Sequence, residues 1–165
     1  MSGSLFSIPP DISWADAVFD GMMTSRAAVY RKDETLDAYG NISNVIYTRL
    51  DCTLQDSSVV DQIPCLVRNL KGEELNTPPA PASQTSYGIQ EFLIFCRPFQ
   101  VDSPAVPITI RHFLQILTKN QVDQGVDYPD PNDPNAHAVL YNLTNISNPV
   151  LFDHHYELAA TVLTP

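Results

Sequence analysis

The side chains best suited to metal binding or proton transfer lie together near the end of the chain, in the run Asp153-His154-His155. Imidazole and carboxylate groups bind zinc and transfer protons near neutral pH. Adjacent residues of a strand point to opposite faces, so the two imidazoles cannot chelate one ion together. A site would need a further ligand such as His112 or His137. We therefore expect structural roles for these histidines and predict no bound metal.

Carboxylates form the second group with chemical potential. Asp127, Asp130 and Asp133 recur at intervals of three in a proline-rich segment. A calcium-binding hand needs oxygen ligands at alternate positions, a central glycine and a later glutamate, and this segment has none of them. Glu73 and Glu74 could serve acid–base catalysis, but they lie in a predicted turn. Both groups are interpreted as solvated surface.

Motifs for nucleophilic or phosphate chemistry are absent from the sequence. It contains neither G-x-S-x-G nor a glycine-rich phosphate loop. Cys52, Cys65 and Cys96 are odd in number and lack C-x-x-C spacing, so we expect reduced thiols in the core. The sequence predicts neither an enzyme nor a cofactor.

Charge limits the classes of partner. Nine Lys and Arg residues against nineteen Asp and Glu give a net charge of −10, and no basic residue follows Lys119. Such a surface repels nucleic-acid phosphates and anionic lipid. There is no apolar run of the roughly 18 residues that span a bilayer and no secretory leader. We expect synthesis in the cytoplasm, no membrane association and no specific DNA binding.

The elements that must position these groups are mostly strands. Fourteen prolines against six glycines disfavour long helices. Ser13 is a helix N-cap, and helical spacing continues to Thr24. Residues 27–32 are predicted as an exposed or edge strand, and 90–97 as a central strand in the core. Segment 108–117 fits a strand or a short helix, and its β-branched content and Pro107 favour the strand. Further strands are predicted at 45–54, 63–70, 137–143 and 155–163.

The predicted fold class is mainly β, a small antiparallel β-barrel or sandwich with one short N-terminal helix and long Pro-rich loops. Residues 1–12 are an arm, and 13–165 form a single β-rich domain with loop insertions at 73–88 and 120–136. Extended arms and proline-stiffened loops are suited to protein contacts. The candidate protein-interaction residues are Leu5, Phe6 and Ile8 in the arm and Pro78, Pro79, Pro81, Tyr87, Tyr128, Asp130 and Asp133 in the loops.

One segment carries a resemblance to a known family. The run Ala28-Val-Tyr-Arg-Lys-Asp-Glu-Thr-Leu-Asp-Ala-Tyr-Gly-Asn41, with the alternating strand to Leu54, resembles the opening hairpin of tailed-bacteriophage head-to-tail joining proteins, the stopper or head-completion family. Residues 108–116 lie where that family's second hairpin falls. The resemblance covers about half of the chain. The arm, the helix and the proline-rich insertion at 78–88 depart from the family pattern, as does the missing turn before Phe113.

The resemblance implies a small β-barrel that assembles into a homo-oligomeric ring in the neck of the virion. Its partners would be copies of itself, the portal or adaptor protein, and the tail terminator or tail-tube protein, with DNA crossing the channel without specific binding. Another tail component, a terminator or adaptor, fits the same residues. The alternatives from other classes are a carbohydrate- or ligand-binding β-module, in which Tyr87 and Tyr128, expected to be exposed on loops, would stack on the ligand, and an enzyme using His154 or His155 with Asp153.

Overall fold

A computed structural model describes residues 13–69, 89–101, 106–147 and 155–163. It confirms a mainly β fold built from antiparallel pairs. In chain order the elements are α1 Ser13–Met22, β1 Ser25–Leu36, β2 Ile42–Leu50, β3 Cys52–Leu54, β4 Val59–Val60, β5 Ile63–Asn69, β6 Ile89–Cys96, β7 Phe99–Val101, β8 Val106–Pro107, β9 His112–Leu117, α2 Lys119–Asp123, β10 Tyr141–Ser147 and β11 Tyr156–Leu163. Within the described part of the chain, neither helix is long and apolar enough to cross a membrane.

The larger sheet has the strand order β2-β1-β5-β6-β11-β10-β9, and β9 also pairs with β1. Two of these strand pairings are short. β9 meets β10 only at the pairs Tyr141–Leu114 and Asn142–Phe113, and β1 meets β5 only from Ser25 to Ala27. The sheet therefore turns back on itself as a sandwich-like fold rather than a regular barrel.

A smaller sheet has the order β4-β3-β7-β8. Two strands of the larger sheet lead directly into it: β2 continues into β3 past Asp51, and β6 continues into β7 past Arg97 and Pro98. Strands that bend from one sheet to another form the corners of packed sheets. Pro98 lacks an N–H, so it interrupts hydrogen bonding at one such corner. These corners bring both sheets onto one core.

The core draws on both sheets. Alternate residues of the strands point inward, as period-two packing requires, and Cys65 and Cys96 lie directly opposite each other on β5 and β6. All three cysteines are free and buried, which confirms the predicted core thiols. The core cluster comprises Ala27, Val29, Leu50, Cys52, Ile63, Cys65, Ile94, Cys96, Phe99, Val101, Ile108, Leu114, Leu143, Leu158 and Ala160.

The prediction of an exposed or edge strand at 27–32 is wrong. β1 pairs with β2, β5 and β9, and both Ala28 and Val29 are completely buried. The run Ala27 to Tyr30 presents small and apolar side chains to both faces, so both faces can be covered. Only the later, charged part of β1 extends beyond its neighbour β9. The terminal strand of the sheet is β2.

Other predicted elements are confirmed or shifted. β6 lies between β5 and β11, which confirms a central strand, although only its Ile94 face is fully buried. β9 confirms a strand over a helix, but it starts at His112 because Thr109 accepts the His112 N–H at 3.1 Å and closes a turn. The strand expected at 137–143 begins instead at Tyr141, since His137 has a φ of 50° and interrupts an extended chain.

Candidate interaction site

The β1–β2 hairpin projects beyond its neighbour β9. β9 accompanies β1 only as far as Arg31, whereas β2 accompanies it from Val29 to Leu36. Beyond Arg31 the two strands therefore pair with each other alone. We call residues 32–46 the projecting hairpin.

A hydrogen-bonded turn closes the projecting hairpin. The Asp37 N–H donates to the Asn41 carbonyl at 2.8 Å, and the Asp37 carboxylate accepts the N–H groups of Tyr39 at 2.8 Å and Asn41 at 2.9 Å. Bonds from the Asn41 and Tyr39 backbone lower the pKa of Asp37. Gly40 has a φ of 81°, a conformation that is strained for residues with a Cβ. The turn is therefore tightly specified by its sequence.

Apolar side chains concentrate on this hairpin. Leu36 is 62% exposed, Tyr39 89%, Ile42 55% and Ile46 47%. Leu36 and Ile42 are directly opposite each other next to the turn. Exposed apolar groups that cluster in this way mark surfaces for contact with other molecules. The hairpin therefore has the features of a protein-docking element.

Ion pairs and hydrogen bonds link the charged residues at the base of the hairpin. Arg31 lies 3.1 Å from the Asp33 carboxylate, Lys32 pairs with Glu34, and Thr48 donates to Asp33 at 3.3 Å. Exposed pairs of this kind contribute little to stability. Within residues 32–46, Lys32 stands against the carboxylates of Asp33, Glu34 and Asp37, so the hairpin carries a net charge of −2 beside its exposed apolar groups.

The predicted loop insertion at 120–136 is more ordered than expected. It begins with α2, where the Gln121 side chain accepts the Thr118 N–H at 2.9 Å, the reciprocal bond of a capping box. The sequence signal, Thr118 followed three residues later by Gln121, was present but overlooked. Residues 124–140 then continue without regular structure but contact β2, β9 and Gln62, which precedes β5. We call them the docked loop.

Asn132 attaches this loop to the outer edge of β2. Its Oδ1 accepts the Tyr47 N–H at 2.8 Å, and its Nδ2 donates to the Tyr47 carbonyl at 2.9 Å. The Asp130 carboxylate orients Asn132 by accepting its backbone N–H at 2.9 Å and its Nδ2 at 3.1 Å. A side-chain amide thus occupies the place of one residue of a neighbouring strand. Covering an edge in this way limits unwanted strand pairing.

Tyr128, expected to be exposed, is half-buried. The Arg49 guanidinium lies 4.8 Å from the centre of its ring, and its hydroxyl donates to Gln62 at 3.3 Å. Burial raises the pKa of Tyr128. Arg49 in turn donates to the Asp61 carboxylate at 3.1 Å. One ring face is therefore covered, which weakens the expectation that Tyr128 stacks on a carbohydrate.

Buried hydrogen bonds also attach the docked loop to the larger sheet. Gln115 is 3% exposed; its Nε2 donates to the Pro129 carbonyl at 2.8 Å, and its Oε1 accepts the Tyr30 hydroxyl at 2.9 Å. Desolvation raises the pKa of Tyr30. This network joins β1, β9 and the loop. With Asn132 it fixes the loop at separate points on the body.

His155 and His112 are held by neighbouring groups, whereas His137 is exposed. His155 lies 5.4 Å from the Phe19 ring and 6.3 Å from the Phe95 ring, and its Nε2 is 3.4 Å from Glu157. The Thr109 N–H donates to Nδ1 of the buried His112 at 3.0 Å. No group of three or more His, Cys, Asp or Glu side chains within the described ranges is placed to hold a metal ion.

The structure brings together only some of the predicted interaction residues. Tyr128, Asp130 and Asp133 share the docked loop, where both carboxylates are exposed and accept backbone N–H groups of that loop. A hairpin was predicted at this position from the sequence, but its exposed apolar side chains and the role of Asn132 were not. A Tyr-Gly-Asn turn between Leu36 and Ile42 was the available signal. The candidates outside the described residues are Leu5, Phe6, Ile8, Pro78, Pro79, Pro81, Tyr87, Asp153 and His154.

Comparison with known proteins supplies no relative: no protein-family model matches the chain, and no curated protein matches it. The surfaces of this chain and the resemblance of residues 28–41 are therefore the only indications of its function within the described residues and the sequence.

Proposed function

We propose that this protein is a structural component of a tailed-phage neck, a ring-forming head-to-tail connector of the stopper type that joins the portal or adaptor to the tail and gates the DNA channel. The observation that carries the proposal is the projecting hairpin with its exposed Leu36, Tyr39 and Ile42. It is formed by the same segment that resembles the opening hairpin of the stopper family.

The limited stability of the hairpin supports a role in assembly. A two-stranded hairpin without a covering layer is marginally stable in water. Placing apolar side chains at its end adds exposed surface, which favours aggregation unless a partner buries it. Burial against a neighbouring subunit would remove about 25 cal/mol of unfavourable hydration for each Å² of apolar surface. An element of this kind is suited to assembly rather than to catalysis.

Charge supports the same proposal. The net charge of −10 and the exposed Asp130 and Asp133 make close binding to DNA unfavourable. A conduit lined by such residues would let DNA pass without being held. In this proposal the docked loop, fixed through Asn132 and Gln115, faces the channel or a neighbouring subunit.

The same features fit a tail terminator or adaptor, which would place the chain at another level of the same assembly. The ligand-binding alternative is weaker, because Arg49 covers the Tyr128 ring that was expected to stack on a sugar. No second function is proposed.

The test is native mass spectrometry of the full chain, alone and mixed with the portal, adaptor and tail-tube proteins of the same genome. Ring-sized species, or a complex formed only with those proteins, is the expected result. A variant with Leu36→Ser, Tyr39→Ser and Ile42→Ser should lose these species. The matched control changes Val59 and Val139 to Ser, since these valines are 66% and 50% exposed away from the hairpin. A monomer that ignores all of the candidate partners contradicts the proposal.

A further inference from the structure

The outer edge of β2 is open over part of its length. Asn132 bonds both backbone groups of Tyr47, so these groups point away from β1. Backbone direction alternates along an antiparallel strand, and the N–H and C=O of Val45 therefore point outward as well. Val45 lies opposite Glu34 in regular register, and among the described residues nothing bonds its outward groups.

Open strand edges bind extended segments through backbone hydrogen bonds, and side chains of both strands then determine which segment fits. Beside this edge lie the exposed Ile42 and Ile46. A suitable segment is short, because Asn132 already occupies the edge at Tyr47. It is also apolar, because Ile42, Val45 and Ile46 of the edge strand would lie beside it, and uncharged, because β2 has no charged side chain before Arg49 that could pair with one.

The chain itself contains such a segment. Residues 1–10 have no charged side chain, and within Ser4-Leu-Phe-Ser-Ile8 the side chains of Phe6 and Ile8 would share one face of a strand. Pro9 and Pro10 follow, and since proline has no N–H to donate, strand pairing would end there. The arm is thus a short, apolar donor with a defined end.

We propose that residues 4–8 of one copy pair with the open edge of β2, around Val45, on the next copy. This inference rests on the proposed ring-forming function and identifies the contact that builds the ring. The donor and the acceptor are different surfaces, so the contact is heterologous. Heterologous contacts generate rings when the rotation between subunits closes, whereas an isologous contact would stop at a dimer.

Chain geometry favours a neighbouring copy as the acceptor. The arm leads into α1, which is held on the body by the Asp20–Arg97 pair at 3.0 Å and enters β1 at Ser25. The open edge lies towards the other end of β1, which at about 3.3 Å per residue is roughly 35 Å long. Only residues 9–12 separate the donor segment from α1, so Ile8 lies at most about 18 Å from Ser13. This connection is short compared with the length of β1, which favours the hairpin of another copy over its own.

The direct test is cysteine trapping between two single variants of the full chain. Ser7→Cys and Val45→Cys are mixed and mildly oxidised, and a covalent dimer that contains one copy of each is expected. Val139→Cys replaces Val45→Cys in the matched control, because Val139 is half-exposed outside the hairpin. Equal trapping at Val139 and Val45, or no trapping at either, would overturn the inference. So would a double variant that forms only an intrachain bond, since the arm would then dock on its own copy.

A second measurement separates this contact from the proposed function. Val45→Pro removes the outward N–H, whereas Val45→Thr keeps it; circular dichroism checks that both variants fold. Native mass spectrometry should show loss of rings for Val45→Pro and for the arm variant Phe6→Ser with Ile8→Ser, but not for Val45→Thr. Rings that survive in all three variants would overturn the arm contact while leaving the neck function intact. A wild-type chain that neither forms rings nor binds neck proteins would overturn both.

Discussion

Asn132 bonds the backbone N–H and C=O of Tyr47 with its side chain, at 2.8 and 2.9 Å, across 85 residues of sequence. The side-chain amide of Asn132 therefore makes the two backbone hydrogen bonds that a residue of an added strand would make. It also divides the edge of β2 into a covered part at Tyr47 and a part nearer the turn that no described residue pairs with. Asn132 thus determines both the position of the docked loop and how much of the β2 edge is accessible.

Replacing Asn132 by Ala should loosen the loop without unfolding the sheet. Two hydrogen bonds to Tyr47 are lost, and water can replace them at this exposed position, so we expect a loss of about 1 kcal/mol in the free energy of unfolding. Urea denaturation measures the loss, and hydrogen exchange should show the Tyr47 amide exchanging faster. Asn135→Ala is the matched control in the same loop. An unchanged Tyr47 exchange rate would contradict the edge-covering role.

The Gln115 network should contribute more, because it is buried. Gln115→Ala leaves the Tyr30 hydroxyl and the Pro129 carbonyl without their partner, at a cost of about 2–3 kcal/mol. Tyr30→Phe removes one hydroxyl and should cost about 1 kcal/mol. A double-mutant cycle tests the link, since residues in one network couple by at least about 0.5 kcal/mol. Strict additivity of the two substitutions would show that the network does not act as a unit.

Much of the fold could be predicted from local patterns. Alternation predicted the strand that became β2, and the dense apolar run correctly placed β6 in the centre. The two-residue alternation of apolar and polar residues cannot reveal which strands become neighbours, however. Residues 27–32 were therefore assigned to an edge, although pairing with β9 across about 85 positions places Val29 in the core. Long-range pairing decides burial, and no local pattern encodes it.

The site was harder to predict than the fold. The sequence predicts Asp130 and Asp133 as interaction residues because they are charged. In the structure their carboxylates accept hydrogen bonds within the loop, and the neutral Asn132 makes the contact with the sheet. Tyr128 was judged exposed because it lies in a polar loop, but Arg49 and Gln62 approach it from other strands and turns. Such contacts depend on the fold and are invisible in the spacing of residues.

The core thiols should be unreactive in the native protein. Burial raises the pKa of Cys65 to about 12 and that of Cys96 well above its ordinary value, so almost no thiolate is present at neutral pH. Ellman's reagent should give no signal with the native chain and should detect three thiols per chain after unfolding in urea. Rapid reaction of the native protein would contradict the buried core.

The raised pKa of Cys65 predicts that the free energy of unfolding decreases at alkaline pH. The ordinary pKa of the Cys65 thiol is 9.0, so the unfolded chain loses this proton above pH 9 while the folded chain retains it to about pH 12. The stabilising contribution is therefore complete below pH 9 and is lost as the pH rises from 9 to 12. Urea midpoints at pH 7.5, 9 and 10.5 should fall in that order. Cys65→Val should reduce the slope, although buried tyrosines such as Tyr30 and Tyr141 will keep part of it.

The hairpin turn should lose stability as the pH falls, whereas the core loses stability as the pH rises. Hydrogen bonds from Asn41 and Tyr39 lower the pKa of Asp37 below its ordinary 3.8, so its stabilising effect is present above that pH and is lost as the pH falls through the lower, folded value. Asp37→Ala should reproduce the acid state at neutral pH. The readout is hydrogen exchange of the Tyr39 and Asn41 amides, which should accelerate in both cases while the Val29 amide in the core stays protected. Asp56→Ala is the control, because its carboxylate serves a different turn at Ser58. If Tyr39 and Asn41 exchange at the same rate in Asp37→Ala and wild type, the turn is held by strand pairing alone, and the apolar tip beside it does not depend on Asp37.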